Sequence, residues 1–248
     1  MTFNDKVVYR CLRGRDPILK IFCDKLRMRE FVAERLGAES LPRLLMVSED
    51  PSQLSALTGP YILKANHESG LVTIVGQGEV LSHDQLAEAA AWLGRDFPWE
   101  REWGYRGARR ALLAEELLRS PDGSSPPPDY KLFTFDGQVR MIQFVTGRFT
   151  AHHSWTLKGP DWRDIAASYG GRRALDDGQP PAHLDRMIEW AWQLGQGVDF
   201  VRVDMYDVGD RVLVGELTPY PAAGKNAFDP AATDAWLGRF WRRPQATW

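Results

Sequence analysis

Hairpin signals interleaved with amphipathic helical stretches predict an α+β protein with antiparallel sheets. Three observations carry this expectation. Asp136-Gly137 separates two alternating apolar runs, 130–135 and 138–145, and this dipeptide favours a tight two-residue turn. Asp207-Val208-Gly209-Asp210 separates 200–206 from 211–217 in the same way. The segments 24–36, 84–97 and 181–195 carry apolar residues at helical spacing instead. A doubly wound parallel sheet would show fewer such turns.

Each element has its own warrant. In 24–36 the apolar positions are Leu26, Phe31, Val32 and Leu36. Residues 61–66 read as a strand, followed by a polar turn ending in Gly70 and a second strand at 71–75. In 84–97 the helical stripe is Leu86, Ala90 and Leu93. Residues 110–119 (RALLAEELLR) are strong helix formers, so propensity alone says helix. The stretch 120–128 is rich in Pro, Ser and Gly. It reads as an exposed connection, because proline lacks a donor and fixes φ. A second loose region spans 170–181. In 181–195 the stripe is Leu184, Ile188 and Trp192, closed by Gly195. Trp92, Trp99, Trp103, Trp190 and Trp192 fall on or near helices. That suits packing more than an aromatic sugar platform.

The chain has 248 residues, 44% of them hydrophobic, enough for one large domain or two interlocked lobes. A formal charge of −2 gives no basic footprint for nucleic acid. Cys11 and Cys23 have no CxxC spacing and read as buried thiols in a reducing compartment. No stretch approaches the roughly 20 apolar residues of a membrane span. The first residues are polar rather than signal-like. The expectation is a soluble cytoplasmic protein.

Two stretches carry chemistry. In Arg202-Val203-Asp204-Met205-Tyr206, alternation puts Arg202, Asp204 and Tyr206 on one strand face. Glu216 and Thr218 share a face of the next strand. If the strands pair across 207–210, Asp204 and Glu216 converge. Two carboxylates beside a cation suit Mg²⁺, which takes one or two carboxylates plus phosphate oxygens. The same spacing equally describes a salt-bridged sheet surface. The second stretch is Tyr61-Ile62-Leu63-Lys64-Ala65-Asn66-His67-Glu68-Ser69-Gly70. A lysine inside an apolar strand, just before a polar turn, suits triphosphate oxygens. A snorkelling edge lysine fits too. Asp129 and Lys131 share a strand face. His67 lacks a second nearby histidine. His152 and His153 would face opposite ways on a strand, so neither reads as a zinc site.

Taken in order, the chain resembles the TupA-like branch of the ATP-grasp superfamily. The resemblance rests on TFNDK at 2–6, DKLRMRE at 24–30, LKANHESG at 63–70, AEELL at 114–118 and DYKLFTFDG at 129–137. It continues through QFVTGRF at 143–149, FVRVDMY at 200–206 and GELTPYPAAG at 215–224. It implies an ATP-grasp fold, α+β, with two lobes whose antiparallel sheets clamp the nucleotide. Residues 24–110 would form the smaller N-terminal lobe and 111–248 the catalytic lobe, after an N-terminal segment at 1–23. It also makes 110–119 a strand followed by a hinge rather than a helix.

Residue by residue, the resemblance implies that Arg29 and Lys64 contact phosphates. Glu115 lies on the adenine side, with the Leu117–Leu118 backbone as hinge contact. Asp129 and Lys131 reach ribose or phosphate. Asp204, Glu216 and Thr218 hold Mg²⁺, and Arg202 stabilises the reacting centre. Asn66, His67, Ser69 and Arg148 line the substrate side. The chain departs from the usual pattern twice. Glu216-Leu217-Thr218 stands where Glu-x-Asn is common. Glu68-Ser69-Gly70 stands for Gly-Ser-Gly, so Glu68 must turn away from the phosphates. The implied activity joins a carboxylate to an amine through an acyl phosphate, using ATP and Mg²⁺. An amino acid, peptide or uronic acid is the substrate class. A small-molecule kinase of the same fold and a non-catalytic ATP-binding partner are the alternatives. Few residues precede Asp24, which leaves a short helix or a second copy in a homo-oligomer to complete the acceptor site.

Overall fold

The computed structural model describes residues 1–95, 102–120, 123, 126–148, 153–171 and 179–242. Trp99, His152, the far end of the helix expected at 84–97 and most of 170–181 lie outside the described residues.

The elements run α1 (Phe3–Arg13), α2 (Ile18–Phe22), α3 (Lys25–Leu36), β1 (Leu44–Ser48), β2 (Tyr61–Ala65), β3 (Val72–Val75), α4 (His83–Gly94) and β4 (Leu112–Glu116). After these come β5 (Asp129–Phe135), β6 (Gln138–Thr146), β7 (Ser154–Lys158), β8 (Ser168–Tyr169), α5 (Leu184–Gly195), β9 (Val201–Asp207), β10 (Val212–Thr218), β11 (Phe228–Asp229) and α6 (Ala232–Gly238). They build a four-stranded sheet of order β1-β4-β2-β3 and a five-stranded sheet of order β10-β9-β5-β6-β7. Every named strand pair is antiparallel. The α+β class and the three hairpins expected from the sequence are all present.

The four-stranded sheet buries Tyr61, Leu63 and Ala65 of β2 with Leu112 and Ala114 of β4 against Ala89 and Trp92 of α4. That leaves Ile62 and Lys64 on the opposite face of β2. The segment 110–119 contains a central strand despite its helix formers. Leu112, Leu113 and Ala114 are wholly buried between β1 and β2, and burial outweighs a propensity of a few tenths of a kcal/mol per residue.

The five-stranded sheet is covered differently on its two faces. One face packs Leu132, Ile142, Val203 and Met205 against Met187, Ala191 and Leu194 of α5 and Met28, Phe31 and Val32 of α3. Helix α3, assigned to the first lobe by the resemblance, therefore buries its apolar face in the core of the second sheet. The other face divides. Toward one end, Phe133, Phe135 and Phe200 meet Phe3 of α1 and Trp241 beyond α6. Toward the other end, the polar side chains of β5, β9 and β10 are left to line a cleft. Of the tryptophans read as packing residues, Trp92 is buried, but Trp192 is 46% exposed and departs from that reading.

Helix α1 was not expected from its polar composition, yet its signals are local. Thr2 and Asp5 form a capping box. Phe3, Val7 and Cys11 recur every four residues and are buried. Arg10 on the same helix is 2% exposed. It donates to the carbonyls of Phe200 (2.9 Å) and Pro219 (3.0 Å), pairs with Asp199, and lies 4.2 Å over the Trp241 ring. The helix is thus bolted to the sheet by a buried charge. Arg10→Met is expected to cost about 3 kcal/mol, as for one partner lost from a buried ion pair. Urea unfolding would measure it, and a loss under about 1 kcal/mol would contradict this role.

Candidate active site

The floor of the cleft is the β9–β10 hairpin. Its register begins regularly, with Val212 opposite Asp207 and Val214 opposite Met205. It then slips by one residue, so that Glu216 faces Asp204 and Thr218 faces Arg202. Without the bulge, Glu216 would stand opposite Val203, on the face that carries the core. The extra residue is Gly215, where a Cβ would come within 2.6 Å of the Tyr206 ring. Glycine at this point lets the bulge form beside Tyr206.

Asp204 is buried and fully engaged on one side. Arg202 donates Nε to Oδ1 and a terminal NH2 to Oδ2, both at 2.6 Å. Lys131, its cross-strand neighbour on β5, reaches Oδ2 at 2.7 Å. Burial would raise this carboxyl, but Arg202 and Lys131 outweigh it and hold the group below its ordinary range. Lys131 also lies 3.4 Å from Asp129, to which Arg148 donates at 2.9 Å. Thr218 accepts from Arg202 at 3.1 Å. Among the described residues, no hydrogen bond or ion pair engages the Glu216 carboxylate.

The facing wall comes from the four-stranded sheet and α3. Lys64 donates to Glu115 Oε2 at 2.6 Å, and Arg29 donates to Oε1 at 2.7 Å. Burial would raise Glu115 too; Lys64 and Arg29 more than offset this and lower it. Arg29 is fixed further by the Pro42 carbonyl at 2.7 Å.

Three contiguous cavities run along this cleft. The central one, about 190 Å³, is lined by Lys64, Ser69, Arg148, Asp204, Tyr206 and Glu216, so both sheets contribute. At one end Ile62, Leu117, Leu118, Pro126 and Pro127 form an apolar slot of about 30 Å³. That is room for about one water. At the other end Ser69, Glu102, Arg202, Glu216, Thr218 and Lys225 surround about 300 Å³.

Most of the sequence-derived site residues converge here: Arg29, Lys64, Ser69, Glu115, Leu117, Leu118, Asp129, Lys131, Arg148, Arg202, Asp204, Glu216 and Thr218. Two do not. Asn66 is wholly buried and ties the start of α3 to β2. Its Oδ1 accepts from the Leu26 amide at 2.8 Å, and its Nδ2 donates to Asp24 at 3.0 Å and to the Arg109 carbonyl at 2.7 Å. His67 is buried beneath α4, with Nε2 3.1 Å from the Trp92 carbonyl. Neither is among the residues lining these three cavities, where the resemblance placed both on the substrate side. Glu68 is buried, pairs with Arg95 at 2.9 Å and is not among the residues lining the central cavity. The connection at 120–128 is not merely exposed, because Pro127 is buried and Pro126 lines two of the cavities.

Sequence reasoning passed over Lys25, Tyr206, Glu102 and Lys225. Lys25 lies inside the DKLRMRE stretch, and it lines the central cavity while donating to the Glu68 carbonyl at 2.7 Å. Tyr206 shares its strand face with Asp204, so alternation marks it. Burial raises its hydroxyl well above the ordinary value, with the nearby Asp129 adding to the shift. Burial also raises the Glu102 carboxyl, to about 7, with Lys225 opposing and Glu216 reinforcing the shift.

Mg²⁺ fits the Asp204–Glu216 pair on donor chemistry. Glu216 is uncommitted, and Asp204 keeps lone pairs beyond its three hydrogen bonds. The described residues hold no group of three or more His, Cys, Asp or Glu that could ligate an ion, so anionic substrate oxygens would complete the shell. Thr218 already accepts from Arg202 and is the weakest of the expected ligands.

The model for TupA-like ATP-grasp proteins matches residues 5–241. The chain belongs to this family. The TupA-like ATP-grasp chain is also similar to solved ATP-grasp structures. One is the ATP-grasp ligase PsnB complexed with a minimal precursor, 14% identical over 84% of this chain and 55% of that one, with a TM-score of 0.45. Another is D-alanine–D-alanine ligase from Bacillus anthracis, 16% identical over 80% and 57%, TM-score 0.45. A third is a RimK domain ATP-grasp protein from Sphaerobacter thermophilus, 12% identical over 90% and 67%, TM-score 0.47. The chain spans little more than half the length of the first two. Comparison with curated proteins finds no match. No helix among the described residues is long and apolar enough to cross a membrane.

Two measurements test this geometry. Asn66→Ala is expected to destabilise the TupA-like chain by about 2 kcal/mol, since it strips the buried Arg109 carbonyl of its donor and leaves the Leu26 amide to Asp24 alone. Urea denaturation reads this directly, and an unchanged midpoint would return Asn66 to other roles. The carboxyls also set opposing pH dependences. Glu115 and Asp204 are lowered, so their contribution is full above their ordinary values of 4.5 and 3.8 and is lost as pH falls below them. Glu102 is raised, so its contribution is full below 4.5 and lost as pH climbs through about 7. Glu102→Gln should therefore flatten the stability decline over that upper window and leave the acid limb in place.

Proposed function

We propose that this protein is an ATP-dependent ligase that activates a carboxylate as an acyl phosphate and joins it to an amine, releasing ADP and phosphate. The observation that carries the reading is the central cavity, where Lys64 of one sheet faces Asp204, Glu216 and Arg148 of the other. Transfer of a phosphoryl group asks the protein mainly to position groups and balance charge, and this cavity holds charges of both signs.

Each residue has a task in this reading. The apolar slot beside Leu117 and Leu118 takes the base. Lys64 and Arg29 exchange Glu115 for phosphate oxygens. Lys131, anchored on Asp129, contacts the ribose or the phosphates, and Arg148, held by the same carboxylate, lines the substrate side. Asp204 and Glu216 hold Mg²⁺, which when bound neutralises phosphate charge. Arg202, fixed in orientation by Asp204 and Thr218, meets the oxygens that gain charge as the carbonyl is attacked. Ser69 stands between the phosphate region and the wider end of the cleft. Amino acids, peptides and uronic acids are the substrate class, and the protein works as a soluble cytoplasmic enzyme.

Glu216→Gln and Asp204→Asn are each expected to lower ADP formation by about a hundredfold or more while the chain remains folded. Undiminished turnover in both variants would remove the metal role. Hydroxylamine added to a reaction with ATP, Mg²⁺ and a pool of carboxylates should yield a hydroxamate. ADP without hydroxamate, together with a stable phosphate ester, would point to kinase chemistry instead.

A further inference from the structure

The wide end of the cleft has a composition of its own. Its cavity of about 300 Å³ lies at the small end of the range for ligand sites. It carries charges of both signs. Glu102 is half-buried at its wall, and no hydrogen bond or ion pair with a described residue engages its carboxylate. Lys225 stands on another side, and its ammonium likewise has no side-chain partner among the described residues. Lys64, Lys131 and, at this same end, Arg202 are all matched to protein carboxylates. Glu102 and Lys225 are not held in this way, although Lys225 acts on Glu102 through space.

The walls around these charges are held to shape. Tyr220 accepts from the Gly104 amide at 3.1 Å, and the Tyr105 hydroxyl hydrogen-bonds Ser69. Ala222 and Ala223 both take left-handed backbone, at φ 49° and 50°. Side chains with a Cβ pay about 1 kcal/mol or more for this conformation, and such strain concentrates at binding sites. The turn is packed against α1, where a Cβ on Gly224 would fall 2.8 Å from the Asn4 carbonyl oxygen.

We propose that this cavity binds the amine substrate and selects a zwitterion of the α-amino-acid type, its ammonium held by Glu102 and its carboxylate by Lys225. An incoming ammonium would add a hydrogen-bonded counter-charge to the through-space one that Lys225 already gives Glu102. The ammonium end would lie toward Glu216, which lines both this cavity and the central one. The identity of the ligand as the attacking amine rests on the ligase reading; its binding does not. In that reaction the ammonium gives one proton to the Glu102 carboxylate. The amine nitrogen then bonds to the acyl carbon and the carbon–oxygen bond to phosphate breaks. The second proton leaves with the phosphate as HPO₄²⁻.

Calorimetry on the full chain, saturated with a non-hydrolysable ATP analogue and Mg²⁺, tests the site. The probes are the twenty protein amino acids and their D-enantiomers, singly, then the methyl ester and N-acetyl forms of any that bind. At least one unmodified amino acid should bind, with both derivatives weaker by about tenfold or more. Glu102→Gln should abolish the penalty for N-acetylation, and Lys225→Met the penalty for esterification. Because Lys225 is exposed, the second variant keeps the test open if the first fails to fold. Binding of ester and N-acetyl forms as tight as the parent overturns the proposal. So does nucleotide binding with no amino acid bound. ADP release, followed separately, distinguishes the two readings. Selective zwitterion binding without turnover would leave this site standing and sink the ligase. Turnover with amines lacking a carboxylate, and no amino acid bound, would do the reverse.

Discussion

The slipped register between β9 and β10 is the constraint on which the cleft depends. A regular hairpin would set Glu216 opposite Val203, and its carboxylate would enter the core packed by α5 and α3. Burying an unpaired carboxylate there would cost several kcal/mol. One extra residue, Gly215, turns the last three positions of β10 over. Glu216 then joins Asp204 on the polar face, and Thr218 meets Arg202. Leu217, displaced in the same movement, fills the core behind it. The bulge therefore does two things at once. It supplies the second carboxylate of the site and keeps the apolar face of the sheet continuous.

The same sheet explains how such a charged surface is afforded by a chain of this size. Its far face is largely apolar and is covered by α3 and α5. Its near face is shared between the aromatic cluster around Phe3, Phe200 and Trp241 and the cleft. The aromatic half anchors the strands through α1 and the buried Arg10, so the polar half need not hold the sheet together. The four-stranded sheet repeats the arrangement on a smaller scale. One face of β2 packs on α4, and the other presents Ile62 and Lys64.

Much of this was legible in the sequence because it is written with period two. The alternation Arg202, Asp204, Tyr206 against Val201, Val203, Met205 matches the observed faces residue by residue. The turns at Asp136-Gly137 and 207–210 fixed their hairpins. What could not be read was register. No rule of composition announces a bulge at Gly215, and convergence of Glu216 on Asp204 was only conditional until pairing was known. Asn66 and His67 stand away from the cavities for a related reason. They stand beside Lys64 in sequence, but the chain leaves β2 at Ala65, and their side chains turn into the packing of α3 and α4. Glu102 and Lys225 lie more than a hundred positions apart, so nothing local joins them. Helix α1 was overlooked although Thr2, Asp5 and the Phe3-Val7-Cys11 spacing announced it, because its exposed face dominates its composition.

The pairing of Lys64 and Arg29 with Glu115, and of Arg202 and Lys131 with Asp204, has a consequence for how the cleft meets solvent. An empty groove of bare cations would gather phosphate, sulfate and nucleic-acid fragments from its surroundings. Here the protein acts as its own counterion. An arriving polyanion must trade places with Glu115 rather than displace loosely held salt. Entry then depends less on ionic strength than the number of basic residues suggests. It also favours a ligand that can reward several cations together over a simple anion that reaches only one.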